Sequence, residues 1–222
     1  MTPSRPPLRP LDPTSEDILS DWLDAYIGQP HGDMGRDGPI CPYVPTAVSH
    51  NLVVCLGRHW IPGETDARGA VTDHILDTIA EFQTRAWPIE HPELRAVIAA
   101  IPDLPREQWP LLDDVQQSVK GRVVTGGLML GQFHLDSHVP AARNASFFPS
   151  AAPLPLVVVR QMARHDLWFL HQRADWFRAY QKRFAHTFED RTDARRLSEL
   201  YRATAERYGR PARATTAAGG AA

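Results

Sequence analysis

The fold is decided by the stretch Leu128-Met129-Leu130-Gly131-Gln132-Phe133-His134, which predicts a β-strand that ends in polar side chains. Two further apolar β-type runs occupy residues 52–56 and 156–160. Strands of this kind need a partner to cover their apolar faces. We therefore expect residues 52–56, 128–134 and 156–160 to share one sheet.

Apolar residues recur at helical spacing over much of the remaining chain. This spacing predicts helices near residues 14–27, 72–85, 92–100, 111–119, 165–188 and 194–208. Few strands among many helices favour a single α+β domain, with a small mixed or antiparallel sheet covered by helices. We expect this domain over residues 14–208, between a flexible leader at 1–13 and a disordered tail at 209–222.

Composition excludes several classes of protein. The 222 residues carry a net charge of −2, so no basic patch favours nucleic-acid binding. No apolar run approaches the roughly 20 residues that span a bilayer, and the N-terminus lacks the apolar core of a secretory signal. No glycine-rich phosphate loop is present. With only Cys41 and Cys55, the chain is expected in the cytoplasm, without a nucleic-acid or membrane partner.

Polar groups crowd the segment that follows the strand at 128–134. His134 and His138 could each supply an axial ligand to haem iron, with Asp136 or Gln132 as the partner that orients the imidazole. His134 and Asp136 could instead belong to a two-histidine, one-carboxylate site for non-haem iron. A purely structural role, in which they hydrogen-bond a neighbouring loop, is an equally good interpretation. Arg143 and Asn144 follow in a loop suited to ligand contact.

Two residues elsewhere complete the candidate site. Arg160 ends an apolar strand, where it could bind a substrate carboxylate or form an ion pair with Asp166. Cys41 could contact substrate, although a buried, inert thiol is the commoner role for such a cysteine. We expect Cys41, His134, His138, Arg143 and Arg160 to line one pocket at the strand ends.

Three motifs resemble a family of uncharacterised actinobacterial proteins whose genes often lie near biosynthetic genes. They are Cys41-Pro42-Tyr43-Val44-Pro45, Gly131-Gln132-Phe133-His134, and Arg160-Gln161-Met162 with Asp166 and Phe169-Leu170. The resemblance covers roughly residues 15–190. A fainter one is to the YqcI/YcgG family, carried by Cys41-Pro42, in reversed order, and by the segment from Ser137 to Arg143. That family includes haem-dependent N-oxygenases that act on amine or guanidine groups of amino-acid derivatives.

The second resemblance implies a haem-dependent oxygenase that hydroxylates a nitrogen of an amino-acid-like small molecule in specialised metabolism. His138 and Arg143 would be catalytic, and Arg160, Gln132, Asn144 and Cys41 would contact substrate. The resemblance favours His138 as the iron ligand, whereas firm support by the strand favours His134. The alternatives are a cofactor-free ligand-binding or accessory protein and a non-haem iron oxygenase. A homodimer is left open.

Overall fold

A five-stranded mixed sheet is the centre of the larger of two compact units in this computed structural model. The model describes residues 5–188 and 195–208, and the two units meet in the sequence between Ala163 and Arg164. The strands are β1 (Arg9–Pro10), β2 (Val53–Gly57), β3 (Ala96–Ala100), β4 (Leu128–Phe133) and β5 (Leu156–Gln161). Their order across the sheet is β1-β2-β3-β5-β4.

One parallel pair makes the sheet mixed. β2 and β3 run parallel, whereas β1 with β2, β3 with β5, and β5 with β4 are antiparallel. The three runs expected at residues 52–56, 128–134 and 156–160 therefore do share one sheet, and the α+β class with a small mixed sheet is confirmed. Part of the expected leader also lies on this sheet, because Arg9 and Pro10 pair with β2.

Helices cover both faces of the sheet. The larger unit contains α1 (Pro13–Trp22), α2 (Val44–Ser49), α3 (Ala67–Thr84) and α4 (Pro110–Thr125). α3 and α4 pack with the strands in one core that includes Val71, Leu112, Leu130 and Val159. α1 and the π-helical turn Leu23–Ile27 form the other core with side chains of β3 and β5. Side chains that alternate along each strand thus enter different cores.

The second unit is built around aromatic rings. It contains α5 (Leu167–Leu170), α6 (Ala174–Phe184) and α7 (Arg195–Tyr208). Phe188 stacks on Tyr201 with ring centroids 4.2 Å apart, and Phe177 lies against Tyr201 at 5.6 Å. The Tyr180 hydroxyl donates a hydrogen bond to the Arg164 carbonyl. No helix in the described part of the chain is both long and apolar enough to cross a membrane.

Two helix predictions were wrong. Residues 92–100 form a single 3₁₀ turn, Pro92–Leu94, and then β3. Burial on both faces of the sheet overrides the helical preference of this alanine-rich run, and such short apolar runs fit either structure. The helix expected at 165–188 is interrupted between α5 and α6, where Arg173 has an extended backbone and pairs with Asp175 at the start of α6. The expected tail at 209–222 lies outside the described residues.

We predict that replacing Ile98 in β3 by alanine lowers the free energy of unfolding by about 2–5 kcal/mol, because the change leaves a cavity in a packed core. Ile98 is 3% exposed. Ile89→Ala is the matched control, since Ile89 is 89% exposed and should cost little. Urea unfolding, followed by circular dichroism, gives the free energy of unfolding of both variants. If both variants lose the same amount relative to wild type, the central position of β3 is contradicted.

Candidate functional site

The C-terminal end of β4 brings two polar side chains under α4. Gln132 and His134 follow Leu128 and Leu130 on the face that α4 covers, because side chains alternate along the strand. Both reach Asp113, in the first turn of α4. The Gln132 Nε2 donates to Asp113 Oδ1 at 2.8 Å, and the His134 Nε2 lies 2.9 Å from Asp113 Oδ2. One carboxylate therefore joins the helix to two positions of the strand.

His134 is buried, with only 1% of its surface exposed. A carboxylate accepts hydrogen bonds and does not donate them, so the contact with Asp113 assigns the ring hydrogen to Nε2. The Nδ1 atom is also buried and has no hydrogen-bond partner among the described residues. Trp109 packs beside the imidazole, with ring centroids 5.8 Å apart. His134 is thus an oriented imidazole whose second nitrogen is unused.

Asp113 is held in its charged form. Burial alone would raise the pKa of its carboxyl, but the hydrogen bonds from His134 and Gln132, together with the charges of His134 and His138, lower the pKa overall. The side chain is still 37% exposed, so one side of the carboxylate meets solvent. Asp113 can therefore fix the orientation of His134 and also stabilise positive charge on its ring.

The turn after His134 carries a second ion pair. Asp136 accepts from Arg106 Nε at 2.7 Å and from Arg106 Nη2 as well, and this contact lowers the pKa of the Asp136 carboxyl. The Arg106 guanidinium lies over the Trp109 ring, 5.5 Å from its centroid. His138 is exposed and meets Phe148 edge-on at 5.3 Å. Asp136 thus pairs with Arg106 and Gln132 with Asp113, so the residue that orients the His134 ring is Asp113 and not the expected Asp136 or Gln132.

Arg143 and Asn144 lie against a different loop. Asn144 donates from Nδ2 to the Asp33 carbonyl at 2.9 Å and accepts from the Ser146 backbone N–H. Gly35 has φ +67°, and a Cβ built there would lie 3.2 Å from the Cβ of Arg143. The close approach and the backbone conformation both favour glycine at this position. Asn144 therefore joins two loops, which is a structural role for its amide.

Arg160 and His134 lie on opposite faces of the sheet. Arg160 is opposite Met129 and Ala96, whereas Gln132 is opposite Val157 on the α4 side. The Arg160 guanidinium lies 5.9 Å from the Tyr43 ring centroid. The expectation that Arg160 and His134 line one pocket was wrong, because the strand alternation separates them.

The cysteines lie on the face away from α4. Cys41 packs at the edge of the core beneath α1, and its backbone N–H donates to the Ile27 carbonyl. Cys55 belongs to the same core, where burial raises its pKa to about 11. Both thiols are free. Cys41 is therefore also separated from His134 by the sheet.

The side chains at the site suit one kind of iron centre better than another. Over residues 5–188 and 195–208, no three His, Cys, Asp or Glu side chains are grouped so that they could hold a metal ion. A three-ligand non-haem iron centre therefore has no ligand set in the described chain. A haem needs only one axial ligand, and His134 has a carboxylate on one ring nitrogen and a free second nitrogen. Because Nδ1 is closed to solvent, its covering atoms must move before any ligand can reach it.

Sequence reasoning missed Asp113, Trp109 and Arg106. All three lie in or just before α4, about twenty or more residues from the strand that they contact. A carboxylate in the first turn of a helix is explained by the helix dipole alone, so Asp113 carried no functional signal. Only the packing of α4 on β4 identifies it.

Replacing Asp113 by asparagine should destabilise the protein at neutral pH by about 1 kcal/mol, because hydrogen bonds to a charged carboxylate become weaker ones to a neutral amide at a partly exposed position. A carboxyl with a lowered pKa stabilises the fold above its unfolded pKa of about 3.9, and this effect disappears as the pH falls through the folded pKa. The difference between wild type and Asp113→Asn should therefore shrink below about pH 4.

The neighbouring Asp114→Asn variant is the control, since Asp114 is 65% exposed and lies 3.6 Å from Arg68. Urea unfolding at a series of pH values measures all three proteins. A difference between wild type and Asp113→Asn that does not change with pH would rule out a stabilising role for the charged carboxylate.

Comparison with known proteins gives one match. A family model described as a domain of unknown function (DUF6875) matches residues 16–195, more than half of the chain. No curated protein and no solved structure matches. The expectation of an uncharacterised family is thereby confirmed, whereas the YqcI/YcgG resemblance stays a prediction. The chain belongs to the DUF6875 family.

Proposed function

We propose that this protein is a haem-dependent oxygenase that hydroxylates a nitrogen of an amino-acid-like small molecule, with His134 as the axial ligand. One observation carries the proposal: His134 is buried, its Nε2 is held by Asp113, and its Nδ1 has no partner among the described residues. Histidines that bind metal commonly hydrogen-bond a carboxylate through their other nitrogen. His134 has this arrangement, and exposed His138 lacks it.

The residues around His134 would support such a ligand in distinct ways. Asp113 fixes the ring hydrogen on Nε2, which leaves the Nδ1 lone pair for iron. Gln132 holds the second oxygen of the same carboxylate, so the carboxylate and the imidazole are fixed together. Trp109 limits rotation of the ring. When bound, haem would supply the activation of dioxygen that nitrogen hydroxylation requires, with two electrons from an external reductant and the second oxygen atom leaving as water.

Proton handling falls to groups nearer the surface. His138 is exposed, and its charge acts on both Asp113 and Asp136. Because its imidazole is open to solvent, His138 is placed to pass protons between the site and bulk water. Arg143 remains the expected contact for a substrate carboxylate, whereas Arg160 lies on the other face of the sheet from His134. His134 and Asp113 lie on the α4 face of the sheet, whereas Arg143 lies beside Gly35 in another loop.

The second candidate is a cofactor-free protein that binds a small ligand or assists a biosynthetic pathway. It is favoured by the closed surroundings of Nδ1 and by the hydrogen bonds of Gln132 and His134 to Asp113, which suit a structural network. Two free cysteines support a cytoplasmic location for either candidate. A homodimer stays a prediction.

The test is the absorption spectrum of protein expressed with a haem precursor. We expect a Soret band that is proportional to protein concentration. His134→Ala should lose most of the bound haem, because the proposed axial nitrogen is removed, while His138→Ala should keep haem and lose turnover. Asp113→Asn should keep haem with a shifted Soret band, since the ligand loses its carboxylate partner.

Circular dichroism of each variant separates loss of haem from loss of folding. A colourless wild type, even after reconstitution with haem, would overturn the proposal in favour of the cofactor-free candidate. Loss of the axial signature in His138→Ala, with His134→Ala unchanged, would assign the ligand to His138.

A further inference from the structure

Two histidines meet where β2 and β3 begin, at the edge of the sheet opposite His134. His50 follows α2 and precedes β2, and His91 lies just before the 3₁₀ turn that leads into β3. Because β2 and β3 are parallel neighbours, with Val53 opposite Ala96, the two connections enter the sheet side by side. The imidazole rings of His50 and His91 therefore come together, with their centroids 5.1 Å apart and their planes at 74°.

One nitrogen of each imidazole already faces an acceptor oxygen. The His50 Nδ1 lies 2.9 Å from the Thr46 carbonyl, which can only accept, so the ring hydrogen is on Nδ1. The Ser49 hydroxyl, which also lies near Nδ1, donates to the same carbonyl. The His91 Nδ1 lies 3.7 Å from Glu93 Oε1, whose negative charge favours the ring hydrogen on that nitrogen. Both rings are thus left with Nε2 for a metal ion, and metal-binding histidines commonly have an oxygen on the other nitrogen.

The backbone beside both rings is held in an unusual conformation. Among the residues that the structure describes, Asn51 and His91 are the only ones other than glycine with a positive φ, at +54° and +51°. Such conformations cost free energy and are found preferentially at binding sites. Arg95 fixes the loop before His91, because its Nη2 donates to the Pro88 and Ile89 carbonyls. Both connections also contribute to one small core, which contains Ala47, Leu52 and Leu94.

The spacing of the rings suits a tetrahedral metal ion. Imidazole nitrogen binds Zn²⁺ at about 2.0–2.1 Å, so two rings on one tetrahedral ion have centroids about 5.2 Å apart, against about 4.5 Å for two rings at a right angle. The observed 5.1 Å is close to the tetrahedral value. Residues 88–95 carry Glu90 and Glu93 against a single arginine, Arg95, so the local charge also favours a cation. Both histidines are exposed, and an ion can reach them from solvent.

We propose that His50 and His91 bind one Zn²⁺ ion through their Nε2 atoms. Glu93 and the Thr46 carbonyl orient the rings from the other side. Since no three histidine, cysteine or acidic side chains are grouped as ligands in the described chain, water completes the coordination. The ion joins two connections that are distant in sequence, so it stabilises the folded chain. The proposal does not rest on haem or on His134, which lies at the other edge of the sheet.

The experiment is a titration of the full chain, without an affinity tag, with Zn²⁺. Calorimetry gives the Kd, and NMR follows the ring C–H signals of His50 and His91, each identified by its absence in the matching variant. We expect one equivalent of Zn²⁺ to shift both sets of signals together. Mg²⁺ should leave them in place, because Mg²⁺ prefers oxygen ligands.

Variants of the two ligands should weaken binding most. His50→Gln and His91→Asn should each raise the Kd for Zn²⁺ more than tenfold, since one of two protein ligands is lost, and asparagine tolerates the left-handed backbone at position 91. Glu93→Gln keeps both ligands and should raise the Kd by at most about tenfold, through a weakened outer contact. Zn²⁺ should raise the Tm of wild type and not that of the two ligand variants, because only the folded chain brings the rings together.

His59→Ala is the matched control, because His59 is an exposed histidine that also has a carboxylate partner, Asp103, at 3.3 Å. Its Kd for Zn²⁺ should equal that of wild type. An equal loss of affinity in His59→Ala would indicate an adventitious surface ion only and would overturn the proposal. An unchanged Kd in His50→Gln, or a shift confined to one of the two rings, would overturn it as well. Circular dichroism shows whether each variant is folded, and His50→Gln decides where His91→Asn is not.

Discussion

The register of the sheet is the constraint on which the candidate site depends. Gly57, Ala100, Leu156 and Phe133 are aligned across neighbouring strands, so β2, β3 and β4 all end at the same edge of the sheet. The residues that follow these strands include Arg58 and His134, and both side chains contact helices of the same face, α3 and α4. Carboxyl ends of strands are where ligands commonly bind in open α/β sheets.

Loops at this edge are tied to one another through the segment after β3. Asp103 accepts a hydrogen bond from the Trp60 backbone N–H at 2.8 Å and lies 3.3 Å from the His59 ring. Three residues later, Arg106 pairs with Asp136 in the turn after β4. The segment from Asp103 to Arg106 therefore contacts both the loop after β2 and the turn after β4.

The sequence predicted features that depend on neighbouring residues and missed those that depend on contacts between distant parts of the chain. Local runs of apolar β-type residues predicted β2, β4 and β5, and with them a small mixed or antiparallel sheet. It did not predict β3, because Ala96-Val97-Ile98-Ala99-Ala100 becomes a strand only when it is inserted between β2 and β5. Within the candidate site, His134 could be predicted from its own strand. Asp113 could not, since nothing in the first turn of α4 distinguishes it from Asp114 until the helix packs on β4.

Unpaired buried nitrogen atoms connect the fold to function. Each costs about 1–3 kcal/mol relative to a satisfied group, so a fold needing only stability would pair or replace them. Among the described residues, His134 and Arg58 both carry such atoms, at one edge and on one face of the sheet. Their other contacts are well made, to Asp113 and Asp77, so poor local packing is not the reason. Groups fixed on one side and free on the other are suited to a ligand or a bound water, and the described chain has further ones in His74 Nδ1 and Arg95 Nε.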